Sequence, residues 1–429
     1  MKRNTGPDNA RGMMGFFSVP VDDPAAAWRE ALEKDALSPR TLYIHIPFCR
    51  SRCPFCPFYL GAAAPGEMEE YVNLLVRELE RWGGEAGRFP VNAVYFGGGT
   101  PSDLSSGQFV AILNALHHNY RLAADCEITV EGRIDGLDAK KVRILAANGV
   151  NRLSVGVQTF DTELRRKLGR QSDRVTVLAR LEELAGLNEL AVVIDLLYGL
   201  PGQTLADLRE EFDLLFSCTQ LSGLDLYRLR VGETLPLAKL IAAGKLPATP
   251  GEEEAFEMFR LGVERMRAEG AVRLSPLHFA FDARERNLNN TVSGAKNVCL
   301  PFGMKAGGRL AGFRFSQHTG LADYRRAVEA GEKPLASAGV YPPDFAACGA
   351  LSGQIYRRMQ VDPVRVAGAA PEAVRDAVRR NLERGAEAWQ EQGYLTSAGN
   401  GVFSLTERAN FSHRKMAADL MERIAEAFE

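Results

Sequence analysis

The chain has 429 residues, a formal net charge of -2 and 25% charged residues. That length is ample for a large core, and for one main domain with an appended one. The near-neutral balance gives no electrostatic footing for nucleic acid or an anionic membrane as a main partner. No window approaches the roughly 18 uninterrupted apolar residues that a spanning helix needs, since even Leu190 to Leu200 contains Asp195. The start, Met1-Lys-Arg-Asn-Thr-Gly-Pro-Asp8, lacks the apolar stretch of a signal peptide. Seven cysteines in so long a chain do not make a disulfide framework, so a reducing, cytoplasmic setting is expected.

Residues 1–39 are mixed in composition and are expected to form an N-terminal extension. Short apolar strands then follow at Leu42–Ile46, Ala93–Phe96, Glu127–Val130, Arg152–Val155, Val192–Leu196 and Asp225–Leu229. Amphipathic helical stretches lie between them, among them Glu67–Trp82, Ser106–His118, Ala139–Asn148 and Leu205–Phe216. Six strand-then-helix units over residues 40–240 imply an α/β domain with a parallel sheet, because parallel neighbours need crossover connections. Ligands of such sheets sit at the carboxyl ends of the strands. Residues 241–340 read as a helix, Glu252–Glu269, then Gly- and Asn-rich sequence expected to connect and to face substrate. In residues 341–429, helices are expected at Asp344–Met359 and Pro371–Gln392, then a hairpin turning at Gly399-Asn400-Gly401, then a helix from Arg408. That order is α+β and winged-helix-like. Without a strong basic bias, a cap is expected there rather than a DNA reader.

Cys49, Cys53 and Cys56 follow the first strand in a CxxxCxxC run. Three thiolates leave one iron of a four-iron cube open to a small molecule, cysteine being the usual ligand to each iron. The alternative is zinc, which wants four ligands in a structural site. Cys126, Cys218, Cys299 and Cys348 are isolated, and His45, a conceivable fourth ligand, belongs to the incoming strand. After the second strand comes Tyr95-Phe-Gly-Gly-Gly-Thr-Pro101, whose glycines let backbone amides approach a ligand closely. Glu131 ends the third strand.

These runs together resemble the radical S-adenosylmethionine (SAM) superfamily, in its HemN-like subgroup. Val155-Gly-Val-Gln-Thr-Phe-Asp161, Leu168-Gly-Arg170 and Ile194-Asp-Leu-Leu-Tyr-Gly-Leu-Pro-Gly-Gln-Thr204 continue the match in order and spacing over about residues 41–235. The resemblance implies a partial (β/α)6 barrel with a C-terminal HemN-type domain. It implies a [4Fe–4S] cluster on Cys49, Cys53 and Cys56, and two SAM molecules. Gly97, Gly98, Gly99 and Thr100 would supply the backbone that binds SAM's methionine. Tyr43, Gly98 and Glu131 would belong with a first SAM, cleaved to a 5'-deoxyadenosyl radical. Phe55, Thr100, Gln158, Arg170 and Asp195 would belong with a second, which becomes a carbon-transfer reagent as in class C methyltransferases. An electron donor such as flavodoxin or ferredoxin is implied.

Within the subgroup, Glu285-Arg-Asn-Leu-Asn-Asn290 and the Gly-rich Leu300–Phe313 run look like the anaerobic haem-degrading methyltransferases. The haem-chaperone branch carries HNxxYW where this chain has Ala295-Lys-Asn-Val-Cys-Leu300. In the coproporphyrinogen dehydrogenase branch a further cysteine follows the run, whereas here Cys56 is followed by Pro57-Phe-Tyr-Leu60. Haem is therefore the expected substrate, opened anaerobically with release of iron. Oxygen-independent coproporphyrinogen III dehydrogenation and haem delivery are the alternatives. His278, His318 and Cys299 are candidates for contact with haem iron, and Arg309 and Arg314 for its propionates.

Overall fold

The computed structural model describes residues 18–217, 220–292 and 298–429. Residues 1–17 of the N-terminal extension, Cys218 and Ala295-Lys-Asn297 lie outside the described residues. The chain divides into two compact units, one running from Pro20 to Val340 with a break at residues 293–296, the other built on Tyr341–Glu429.

The larger unit is organised on six parallel strands: β1 (Arg40–Ile46), β2 (Val91–Gly98), β3 (Leu122–Gly132), β4 (Arg152–Gln158), β5 (Ala191–Tyr198) and β6 (Gly223–Arg228). Helices Glu67–Ala86, Ser106–Asn119, Ala139–Ala147, Arg174–Gly186 and Leu205–Ser217 make the crossovers. Three of them start on oxygen caps: Ser105 closes a capping box with Gln108, and Asp138 and Asp173 each accept from a first-turn amide. The short helix Thr162–Lys167, capped by Asp161, has too few turns to show a periodicity and was not expected from sequence.

Strand alternation sorts the sheet into two chemistries. Leu42, Ile44, Phe96, Val130, Leu153, Val155, Ile194 and Leu226 are buried and lie at positions of one parity. The registers Tyr43↔Tyr95↔Thr129↔Arg152, Glu131↔Ser154 and Gly156↔Asp195↔Asp225 carry the opposite parity, a polar face. Here that face holds every candidate side chain borne on the strands.

Residues 241–340 do not stand apart; their strands extend the same sheet on both sides. On the far side, β7 (Val272–Arg273) and β8 (His278–Ala280) follow β6 antiparallel, so the order there is β6-β8-β7. On the near side, β9 (Val298–Phe302) pairs parallel with β1, Val298 opposite Arg40 and Phe302 opposite Ile44. This is a seventh parallel strand that sequence reading took for irregular connection. Beyond it lie β10 (Gly307–Leu310), β11 (Phe313–Gln317) and β12 (Leu335–Val340), all antiparallel.

Behind β9 sits a buried ionic node. Glu78 accepts from Lys333 Nζ (2.7 Å), Gln317 Nε2 (2.6 Å), the Tyr324 hydroxyl (2.6 Å) and the Gly303 amide (2.9 Å). Lys333 also donates to the Pro301 carbonyl and lies over the Phe302 ring. Gly303 has φ +91, and an added Cβ would stand 2.3 Å from the Tyr71 hydroxyl. Glycine here serves close packing.

The second unit is winged-helix-like. Helices Phe345–Arg358, Pro363–Ala367, Glu372–Glu391 and His413–Ala425 surround a sheet of β13 (Gln360–Val361), β14 (Leu395–Gly399) and β15 (Val402–Leu405), in the order β13-β15-β14. Gly399 pairs with Val402 across Asn400 and Gly401, both at positive φ (53° and 74°), which is the two-residue hairpin expected. Leu351, Ile355, Val378, Leu382, Trp389, Leu420 and Ile424 form its core.

Candidate active site

The site is built at the carboxyl ends of β1 to β5. The loop after β1 bears Cys49 and Cys53, both buried, and the partly exposed Cys56. Gly99 and Thr100, after β2, stitch to that loop through backbone bonds to Ile46 O (2.7 Å) and Phe48 O (2.9 Å). Each thiol receives one hydrogen bond: Thr100 Oγ1 to Cys49 Sγ (3.2 Å), Arg133 Nη2 to Cys53 Sγ (3.2 Å) and the Phe58 amide to Cys56 Sγ (3.4 Å). Among the described residues no three Cys, His, Asp or Glu side chains converge closely enough to hold a single metal ion. Three thiols spread along one loop instead suit a cube, in which each binds a different iron.

Above β1 and β2, the Tyr43 ring lies 6.4 Å from that of Tyr95 in a stacked arrangement. Its hydroxyl shares a 2.9 Å hydrogen bond with His45 Nδ1. His45 is buried with Nε2 unpartnered, and burial, with nearby Lys305, pushes its pKa down to about 4, so the ring is neutral. Gly98 has φ +108, and a Cβ there would lie 2.4 Å from the His45 ring. Only glycine fits. Tyr95 donates to Glu131 Oε1 at 2.6 Å. Burial pushes Glu131 up to about 7, helped by Asp195, while the Tyr95 and Gly98 donors and Arg152 pull the other way.

Gln158 ends β4 at φ 74, a left-handed conformation that costs a non-glycine residue free energy and that clusters at functional sites. Arg170 is buried with Nε unpartnered, close to Cys53 and Asp195. Asp195 accepts from the Ser154 hydroxyl (3.3 Å), and burial raises its pKa. Phe55 packs at the edge of an apolar cluster with Leu168, Leu197 and Leu229. The glycine cradle, the unpartnered His45 Nε2 and Arg170 Nε, and the acidic Glu131 and Asp195 suit a ligand with ammonium, carboxylate and ribose groups.

The remaining candidates divide. By register Cys299 (opposite Thr41), Arg309 (opposite Cys299) and Arg314 (opposite Arg309) lie on the same face as Tyr43. His278 is engaged elsewhere: its Nε2 meets the Tyr227 hydroxyl at 3.0 Å and Asp225 at 3.5 Å, and its Nδ1 meets Ser275 Oγ. The Glu285-Arg-Asn run is engaged with protein groups. Glu285 binds Arg152 at the start of β4 (2.7 and 3.0 Å), Arg286 binds the Asp125 carbonyl, and the Leu288 amide donates to Glu127. Arg133 escaped sequence reading. Its spacing of two from Glu131, at a strand end, was the signal, since it sets both on one side.

A parallel sheet with a three-cysteine loop after its first strand, a glycine turn after the second and acidic groups at later strand ends defines a radical SAM protein. The radical SAM superfamily profile matches residues 43–215. The chain belongs to that superfamily, in its HemN-like family, which brings with it a [4Fe–4S] cluster and SAM. It is 37% identical over 335 residues to anaerobilin synthase of Escherichia coli O157:H7, covering 76% of this chain and 74% of the relative. It is 33% identical over 279 residues to the haem chaperone HemW of Bacillus subtilis, covering 64% and 72%. In fold it is similar to coproporphyrinogen III oxidase (HemN) of Escherichia coli, with a TM-score of 0.79 and 20% identity over 94% of both chains. Among the described residues no helix is long and apolar enough to cross a membrane.

Proposed function

We propose that this protein is a radical SAM enzyme that methylates haem and opens the porphyrin ring without oxygen, releasing iron. The observation that carries this reading is the 37% identity to anaerobilin synthase over 76% of the chain. Cys49, Cys53 and Cys56 would hold the cluster. Tyr43, Gly97, Gly98, Gly99 and Glu131 would hold one SAM, and Phe55, Thr100, Gln158, Arg170 and Asp195 a second. When bound, the cluster and SAM supply a carbon radical by one-electron cleavage of a carbon–sulfur bond.

The chain's own residues do the positioning. Glu131, aimed by Tyr95, answers an ammonium group, and Asp195 can accept both hydroxyls of a ribose. Buried Arg170 offers a fork for a carboxylate. Cys299 would sit near the macrocycle, and Arg309 and Arg314, on the same face, suit its two propionates.

The discriminating experiment is anaerobic mass spectrometry on the reduced, SAM-supplied protein, with haem and coproporphyrinogen III offered separately. A haem product heavier by a methyl-derived increment, with 5'-deoxyadenosine released, is expected. Loss of carbon dioxide from the porphyrinogen with haem untouched would overturn the choice of substrate. Unchanged mass of both would favour a carrier.

A further inference from the structure

We infer that Arg133 is a positioning residue that fixes the cysteine loop and raises the reduction potential of the cluster it holds. The inference rests on the cluster reading above and deepens it. Arg133 reaches back from the end of β3 with both arms of its guanidinium engaged. Nη1 donates to Ser51 Oγ (2.8 Å), and Nη2 donates to the Ser51 carbonyl (3.1 Å) and to Cys53 Sγ (3.2 Å). Its backbone is held as well, its amide donating to Oγ of fully buried Ser102 at 3.0 Å. The side chain is thus tied at its root and at its tip, and the loop is tied to it midway between Cys49 and Cys53.

The three sulfurs are not treated alike. Cys49 and Cys56 receive neutral donors, a hydroxyl and an amide, whereas Cys53 receives a cationic one. Hydrogen bonds to cluster sulfurs and the local charge are among the terms that set an iron–sulfur potential. Adding an electron makes the cluster more negative, so a fixed positive donor at 3.2 Å from Cys53 Sγ favours the reduced form. Charge-assisted donors are roughly twice as strong as neutral ones, so Arg133 outweighs either of the other two taken singly. Its planar fork is what permits simultaneous contact with Ser51 and Cys53; lysine carries the charge without the fork.

The test uses the full chain, reconstituted anaerobically, with Arg133→Met, Arg133→Lys and Ser51→Ala beside the wild type. Iron and labile sulfide are counted first; a wild type without about four of each would refute the cluster reading rather than this one. The reduction equilibrium is then titrated by the electron paramagnetic resonance signal of the reduced cluster, without substrate. Arg133→Met should keep its iron and shift the equilibrium about tenfold toward the oxidised form, about 59 mV for a one-electron couple. Arg133→Lys should shift it less than about threefold, because the charge remains. An Arg133→Met equilibrium within about threefold of wild type would overturn the proposal. Should that variant lose its iron, Ser51→Ala decides, since it releases one arm of the guanidinium without removing the charge. A shift of about threefold or more toward the oxidised form supports the inference, and no shift sinks it.

Discussion

The Tyr95 hydroxyl donates to Glu131 Oε1 across 2.6 Å, so a phenol on one strand aims the carboxylate at the end of the next. Glu131 is held up at about 7, against an ordinary 4.5, chiefly by burial. Between those values the folded protein keeps a proton that the unfolded chain has lost, so this group's contribution to stability falls as pH rises through the window. A positively charged ligand binds the ionised form. SAM affinity should therefore rise about tenfold from pH 6 to pH 8, and Glu131→Gln should flatten the profile. Anaerobic equilibrium dialysis measures it; a wild-type affinity independent of pH would contradict the assignment.

Anaerobic reconstitution should give about four irons per chain, lost when Cys49, Cys53 or Cys56 is replaced by alanine. Metal analysis and labile sulfide decide the matter. One tightly retained zinc without sulfide would show that the thiols serve a different metal.

Two SAM molecules per chain are expected at saturation in the presence of acceptor. Gln158 makes an informative variant, because its left-handed backbone is strained. Gln158→Gly should leave the thermal midpoint unchanged or raise it, relief of about 1–2 kcal/mol outweighing the added unfolded-state entropy of roughly 0.5–1 kcal/mol. The same change should lower binding to one SAM, as should Asp195→Asn. A midpoint several degrees lower, with two SAM still bound, would count against both parts.

Lys333→Met leaves Glu78 charged and buried, and breaking such a pair costs about 3–5 kcal/mol. Chemical denaturation should show that loss, and Lys333→Met combined with Glu78→Gln should recover part of it. A single variant as stable as wild type would mean that the node contributes little.

What could be read from the sequence depended on the range of the interaction. The cysteine loop and the glycine turn were legible because their function lies in local spacing. The Asn400-Gly401 hairpin was legible because its φ values demand those residues. The pairing of Glu285 with Arg152 was not legible, because the two are distant in the chain and a carboxylate gives no sign of which buried cation it will meet. β9 was missed for a similar reason. Val298–Phe302 is five residues long with a proline, and its strand character comes from pairing with β1 rather than from its own pattern.

β9 also bears on the order in which the molecule is made. β1, which leads into the cysteine loop, is emitted early from the ribosome. The strand that covers its outer edge follows about 260 residues later, roughly 10–50 s at ordinary synthesis rates. Through that interval β1 has β2 and β3 on one side and a bare row of amides and carbonyls on the other, the kind of edge that recruits foreign strands. The nascent chain is thus most exposed to mispairing beside its cysteine loop. Protection by chaperones matters most for this protein before β9 has emerged.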